Sequence, residues 1–252
     1  MKVVFIGAGP GDPDLITVKG SKIIRTADII IYAGSLVNPQ LLEGKRKETP
    51  VYNSAEMNLD QIKAIYLDNR ERPGIIARLH SGDPSLFGAI QEQIDLCIEE
   101  NIGYEIIPGV SSFSAGAAVL KQELTLPGVS QTVILTRISG RTKTPQSESL
   151  EKLAQHRCTM VIFLSAAYIE DVVRKLGIFY PKDTPVAVVY RAGWPEEKIL
   201  KSSLDKIAEL VKQHKIKRQA LIYVGRVLSS DYELSKLYSW EFTHGFRKGR
   251  DK

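Results

Sequence analysis

Cysteine is nearly absent: Cys97 and Cys158 are the only two in 252 residues, which excludes a disulfide framework and any paired-cysteine zinc spacing. Both are read as reduced thiols of core or surface. Histidine is scarce too. His80, His156, His214 and His244 stand far apart, so no zinc motif and no Ser-His-Asp spacing emerges, and no metal is expected. His80 ends an apolar run and has a core and a cleft reading; the other three read as surface residues. No apolar stretch approaches the roughly 18 to 20 residues of a membrane span, and Met1 leads into a strand-like run rather than a signal-peptide pattern. A cytoplasmic chain with no membrane partner is expected.

A strong charge imbalance is also missing. The formal net charge is +5, and Arg247, Lys248, Arg250 and Lys252 against Asp251 place +3 of it in the last six residues. A short basic tail is usually solvated, so the excess speaks weakly for nucleic acid and serves an anionic small molecule equally well. Composition is otherwise that of an ordinary globular protein, 43% hydrophobic and 25% charged. A chain of this length buries roughly 70 to 75% of its unfolded surface.

What the sequence does have is "VVFIGAGPGDPDLITVKG", residues 3 to 20. A dinucleotide fingerprint needs G-x-G-x-x-G on a strand-to-helix turn. Gly7 and Gly9 fit, but the third glycine, Gly11, falls one place early, and Pro10 and Pro13 remove two backbone donors. The acid expected about 20 residues on to hold a ribose is matched in distance by Asp28. However, Asp28 precedes the apolar run Ile29 to Tyr32 and so stands at the wrong end of that strand. A nucleotide cradle is therefore disfavoured.

Apolar β-rich runs alternate with helical periods, the pattern of an α/β protein. Strands are expected at 3–8, 28–32, 74–80 and 104–107, with helices at 15–26, 59–69, 86–100 and 112–120 and a variable region at 35–58. After a break at Pro127 and Gly128, strands follow at 132–138, 159–165, 185–190, 197–202 and 220–227, with helices at 149–155, 167–176 and 204–214. The strands flanking "AGWPEE" suggest a hairpin and hence a mixed sheet. The expected architecture is two α/β domains with open mixed sheets: 1–122, 123–240, and a disordered basic tail, 241–252.

Three unusual loops directly follow strands: "GAGPGDP", Ser81-Gly82-Asp83-Pro84 and Pro108-Gly109-Val110-Ser111-Ser112. In open α/β sheets ligands sit beyond the carboxyl ends of strands, and glycine admits close approach to the backbone. Asp83 also reads as an Asx-turn or helix cap, and Ser111 or Ser112 as a plain N-cap. No Gly-Lys-Ser/Thr follows any of them, so none is a P-loop.

"GAGPGDPDLIT", "SGDPSLFG", "PGVSS" and "VVYRAGWPEE", in this order and over roughly residues 2 to 228, resemble the successive motifs of the tetrapyrrole (corrin and porphyrin) methyltransferases. "YAGSLVNP" (32–39) and "TRISGRTKTP" (136–145) resemble the branch that methylates carbon 11 of precorrin-4 or its cobalt complex. The resemblance implies S-adenosyl-methionine as methyl donor, S-adenosyl-homocysteine as product, a groove between the two domains, and a homodimer. It implies cofactor contacts at Pro10, Ser81, Gly82, Asp83, Leu86, Ser111, Ser112, Leu164, Tyr190 and Ala192. Leu164 stands where relatives often carry methionine, which leaves a backbone contact as the surer expectation there.

Methyl transfer from a sulfonium needs orientation and exclusion of water rather than a dedicated nucleophile, worth up to roughly 7 to 11 kcal/mol when well aligned. No catalytic residue is assigned. An anionic tetrapyrrole calls for arginine, whose fork binds carboxylates in bidentate fashion. Arg137, Arg141 and Arg191, with Lys143 nearby, are candidates, solvated loop charge being the alternative. Tyr32 and Ser35 are candidates to face the macrocycle, with core packing the alternative for Tyr32. Rival functions are methylation of uroporphyrinogen III or another precorrin, ribosomal RNA methylation within the wider family, and a non-enzymatic binding module. The leading reading takes no nucleic acid.

Overall fold

The computed structural model describes residues 1–140, 142–229 and 232–250. The chain divides into two compact units. The first comprises Met1–Val119 with Arg191–Lys198, the second Leu120–Tyr190 with Ile199–Lys252.

In the first unit the elements run β1 (Lys2–Gly7), α1 (Val18–Thr26), β2 (Ile29–Tyr32), β3 (Val51–Asn53), α2 (Leu59–Asn69), β4 (Ile75–His80), α3 (Gln91–Glu99), β5 (Tyr104–Ile107) and α4 (Ser112–Leu120). The five strands form one sheet in the order β3-β2-β4-β1-β5, and every pair in it is parallel. It is thus parallel throughout where a mixed sheet was expected, because each strand returns by a crossover rather than a hairpin. A central parallel strand is covered on both faces, and β1 shows it. Val3 and Phe5 pack with Tyr66, Ile94 and Cys97 on one face; Val4 and Ile6 pack with Ile24 and Ile107 on the other. The alternation follows from the two-residue period of a strand.

Start signals decide where the helices begin. Thr17 Oγ1 accepts from Gly20 N at 3.1 Å, so α1 starts at Val18 and not at 15. Asn58 and Gln61 form a capping box at α2. The helix expected from 86 starts at Gln91, because Phe87 and Ala89 take left-handed φ of 56° and 50°, which breaks the helical path.

The connection from β1 runs through α1 to β2 on one side, and the connection from β4 runs through α3 to β5 on the other. Neighbouring strands whose connections leave in opposite directions open a crevice at their carboxyl ends. That switch point lies between β1 and β4.

The second unit holds β6 (Val133–Arg137), α5 (Leu150–Ala154), β7 (Thr159–Phe163), α6 (Ile169–Leu176), β8 (Pro185–Tyr190), β9 (Lys198–Ser203), α7 (Ile207–Gln213) and β10 (Ala220–Val224). Its sheet runs β6-β7-β10-β8-β9, with β6 parallel to β7 and β10 antiparallel to both β7 and β8, so this sheet is mixed as expected. In the region read as a basic tail, Arg247 Nη2 donates to the carbonyls of Leu237 and Ser239, each at 2.8 Å.

Both cysteines are free and buried, and burial pushes both thiols up, Cys97 to about 11; neither is an activated nucleophile. Asp28 is a staple at the start of β2: it accepts from Ile75 N at 2.8 Å and pairs with Arg46 at 2.7 Å. Among the described residues no helix is long and apolar enough to cross a membrane, and no group of three or more His, Cys, Asp or Glu is placed to hold a metal.

Candidate functional site

The loops after β1, β4 and β5 meet at the carboxyl edge of the parallel sheet. Gly9 and Gly82 form an isolated bridge, Gly82 N to Gly9 O at 2.7 Å and Gly9 N to Gly82 O at 3.3 Å. Both take left-handed φ, 78° and 65°, which glycine adopts freely. The third loop packs against them backbone to backbone. A Cβ on Gly7 would lie 2.5 Å from the N and Cα of Gly109, and one on Gly109 would run into the Gly82 carbonyl. These two glycines therefore let the loops approach each other, where the sequence reading had assigned loop glycine to the approach of a ligand.

Asp83 ties two of the loops together. Its Oδ2 accepts from Gly109 N at 2.9 Å, and its Oδ1 from Ser85 N at 2.8 Å and from the Ser85 hydroxyl. This is the Asx-turn reading with a cross-loop bond added. Burial opposes the charge, but the bonds from Ser85 and Gly109 outweigh it and hold the carboxyl below its ordinary range. Oδ1 is taken by the two Ser85 bonds, while Oδ2, with one bond, keeps acceptor capacity for a ligand ammonium.

Ser111 is buried and its carbonyl accepts from Ser114 N at 3.0 Å, while Ser112 opens α4. A Cβ on Gly82 would sit 3.5 Å from Ser112 N. The positive end of the α4 dipole thus faces the second loop.

A fourth segment arrives from far along the chain. Trp194 Nε1 donates to the Pro10 carbonyl at 3.0 Å, and Asn38 Nδ2 to the Gly11 carbonyl at 2.8 Å. Ala192, buried, belongs to the same segment. Arg191 holds φ 51° and stacks its guanidinium 4.4 Å from the Trp194 ring centre, with Glu196 at 3.3 Å; its Nε is buried and has no hydrogen-bond partner.

Of the sequence-read cofactor positions, the fold gathers Pro10, Ser81, Gly82, Asp83, Leu86, Ser111, Ser112 and Ala192 in the first unit. Leu164 and Tyr190 lie in the second. Leu164 directly follows β7, two-thirds exposed with φ 53°, and Tyr190 ends β8 and packs on that unit's core. Among the substrate candidates, Tyr32 ends β2, partly buried against the core, its carbonyl accepting from Ser54 Oγ at 3.1 Å; Ser35 is exposed. Arg137 spends its guanidinium on its own loop, donating to the carbonyls of Ile138, Thr142 and Lys143 at 3.0 to 3.3 Å. Arg141 lies outside the described residues. His80 is buried under the second loop, and burial, then Arg78, push its imidazole down to about 3, while a hydrogen bond with the Gly88 backbone acts the other way; its Nε2 finds no partner.

Sequence reasoning missed Trp194 and Asn38. A tryptophan in "AGWPEE", one of only two in the chain, was the available signal. Asn38 gave none, since its partner is a backbone carbonyl.

The family model described as Tetrapyrrole (Corrin/Porphyrin) Methylases matches residues 2–208. This chain belongs to that family. Within the tetrapyrrole methylases it is similar to the cobalt-precorrin-4 C(11)-methyltransferase of Methanocaldococcus jannaschii, 53% identical over all of this chain and 98% of the relative. It is 50% identical to the precorrin-4 C(11)-methyltransferase of Pseudomonas aeruginosa, over 99% of this chain and all of that one. The crystal structure of a cobalt precorrin-4 methyltransferase, a cobalamin biosynthetic enzyme, superposes with a TM-score of 0.88 at 42% identity, covering 91% of this chain and 96% of the other.

Proposed function

We propose that this tetrapyrrole methylase transfers the methyl group of S-adenosyl-methionine to carbon 11 of cobalt-precorrin-4 or precorrin-4, releasing S-adenosyl-homocysteine, in the building of the corrin ring of cobalamin. The single supporting observation on the structural side is the Gly9–Gly82 bridge with Asp83 tied to Gly109 at the switch point. It occurs in a chain that shares half its residues with two C(11)-methyltransferases over full length.

In this reading the bound donor supplies an electrophilic methyl on a sulfonium. Asp83 accepts hydrogen bonds from its ammonium group, and the first turn of α4, with Ser111 and Ser112, receives its carboxylate. Gly82, Ser81, Leu86, Pro10 and Ala192 shape the surface around it. A carbon–carbon bond forms from the macrocycle's π electrons as the carbon–sulfur bond breaks onto sulfur, and the macrocycle's proton leaves to solvent. The chain's residues orient the partners and exclude water. Arg191, its guanidinium stacked on Trp194, is the foremost arginine for a substrate carboxylate, ahead of Arg137 and Arg141; Tyr32 and Ser35 follow the carboxyl end of β2. The protein acts in the cytoplasm as a homodimer, without nucleic acid or membrane.

The test is incubation of the purified chain with methyl-labelled donor and a set of tetrapyrrole intermediates, read by mass spectrometry. Label on carbon 11 of cobalt-precorrin-4 or precorrin-4 is the expected result. Label only on uroporphyrinogen III, or on none, would overturn it.

A further inference from the structure

The segment "YAGSLVNP" carries near its end Asn38, a buried amide to which the methyl transfer above gives no part. Its placement follows from the core. Leu36 N and Val37 N both donate to the Ala33 carbonyl at 2.9 Å, so the chain turns back, and Val37 joins Ile6, Ala8 and Leu79 in one buried cluster. The next residue has its amide set from the other side. Asn38 Oδ1 accepts from Gln40 N at 3.0 Å, capping the single turn Pro39–Leu42, which leaves the amide nitrogen as the donor for a second partner. That nitrogen lies 2.8 Å from the Gly11 carbonyl, in a buried bond.

The preceding carbonyl, of Pro10, accepts from Trp194 Nε1 at 3.0 Å. Two consecutive carbonyls of the first glycine loop are thus held by side chains 27 and 184 residues away. They belong to the peptide planes on either side of the Gly11 Cα, and each plane is rigid. Fixing both planes therefore fixes φ and ψ of a glycine that would otherwise be the freest joint of the loop. Releasing either plane frees that joint. The indole also lies against it so closely that a Cβ on Gly11 would be 2.0 Å from Trp194 Nε1. On one side of the joint Gly9 is bridged to Gly82, and on the other Asp12 Oδ1 accepts from Asp14 N at 2.9 Å.

We propose that Asn38 is a positioning residue for methyl transfer, acting through the Gly11 joint that it holds together with Trp194. This rests on the methyl-transfer function above, in which Pro10 borders the donor. A transfer that uses no nucleophile of the chain depends on alignment, and a misplacement of about 1 Å costs on the order of a hundredfold in rate.

The experiment compares the wild type with Asn38→Ser, Trp194→Phe and the double variant. Serine still caps the Pro39–Leu42 turn, but its hydroxyl is one bond shorter than the amide nitrogen that meets Gly11. Melting temperature, calorimetric affinity for S-adenosyl-homocysteine, and kcat on cobalt-precorrin-4 are measured on each. Asn38→Ser is expected to weaken S-adenosyl-homocysteine binding about threefold or more and to lower kcat about tenfold or more. The double variant is expected to fall no more than about threefold below the worse single one, because either release frees the same joint. A bond that serves the fold alone would lower the melting temperature and leave affinity and kcat at wild-type values. That result, or single losses that multiply in full or beyond, would overturn the role of Asn38. Asn38→Asp, which has the same shape and caps the turn but as a carboxylate offers no donor to Gly11, takes the place of the serine variant if that one does not fold. A wild type that binds S-adenosyl-homocysteine but methylates no tetrapyrrole would instead overturn the function on which the proposal rests.

Discussion

Trp194 and Pro10, 184 residues apart in the chain, are joined by a hydrogen bond of 3.0 Å from the indole N–H to the prolyl carbonyl. The bond fastens the Arg191–Lys198 segment to the first glycine loop. It has no equivalent in a phenylalanine, so Trp194→Phe leaves the half-buried carbonyl without that partner. A loss of about 1 to 3 kcal/mol in unfolding free energy is expected, together with weaker S-adenosyl-homocysteine binding, checked by denaturant titration and calorimetry. Unchanged values for both would show the bond to be idle.

Loop glycines should divide by what a Cβ would meet. At Gly7 and Gly109 it would meet backbone of the neighbouring loops, which cannot yield, so Gly7→Ala and Gly109→Ala should each destabilise by about 1 to 3 kcal/mol or more. At Gly44 the nearest atoms are the flexible side chain of Arg25, 3.5 Å away, and Gly44→Ala should be neutral or slightly stabilising. Thermal melts of the three variants decide it.

His80 should report on acid. Its folded value of about 3 lies below the ordinary 6.5, so the unfolded chain binds a proton that the folded chain refuses. The folded state loses stability as pH falls from about 6.5 towards 3, and the loss is absent above that window. His80→Gln should flatten the upper part of this slope, between pH 6.5 and 4.5, where carboxylates of ordinary affinity stay ionised. An unaltered slope would mean that the imidazole is not held neutral.

Asp83 acts at lower pH with the opposite cause. Its carboxyl is held below the ordinary 3.8, so its contribution is present above that value and disappears as pH falls through the lower folded one. Asp83→Asn should lose stability at neutral pH, show a smaller further loss on acidification than wild type, and bind S-adenosyl-homocysteine more weakly. Equal acid sensitivity in the two proteins would argue against the Gly109 and Ser85 bonds as the cause.

The alternation of apolar runs with helical periods was enough to place both sheets, because strand and helix periods are local properties of the chain. The sheet-edge loops were legible for a similar reason: glycine, proline and aspartate announce turns by their own backbone preferences. The start of α3 was not. Phe87 and Ala89 have no intrinsic reason to turn left-handed; the loop is held in that path by tertiary contacts, among them the bonds from Gln93 to Ala89 and from His80 to Gly88. Nor was the bond from Gly109 N to Asp83, 26 residues away, since no local signal of residue type or spacing names such a partner.

By itself the sequence determined the α/β class, the order of the motifs and the resemblance they carry, all of which reside in residue type and spacing. Only the tertiary structure decided which glycines serve packing and which serve a left-handed turn, that Trp194 closes on Pro10, and that Arg137 is occupied by its own loop. Those outcomes depend on which surfaces meet across long stretches of chain, and residue spacing along a strand or helix carries no record of that.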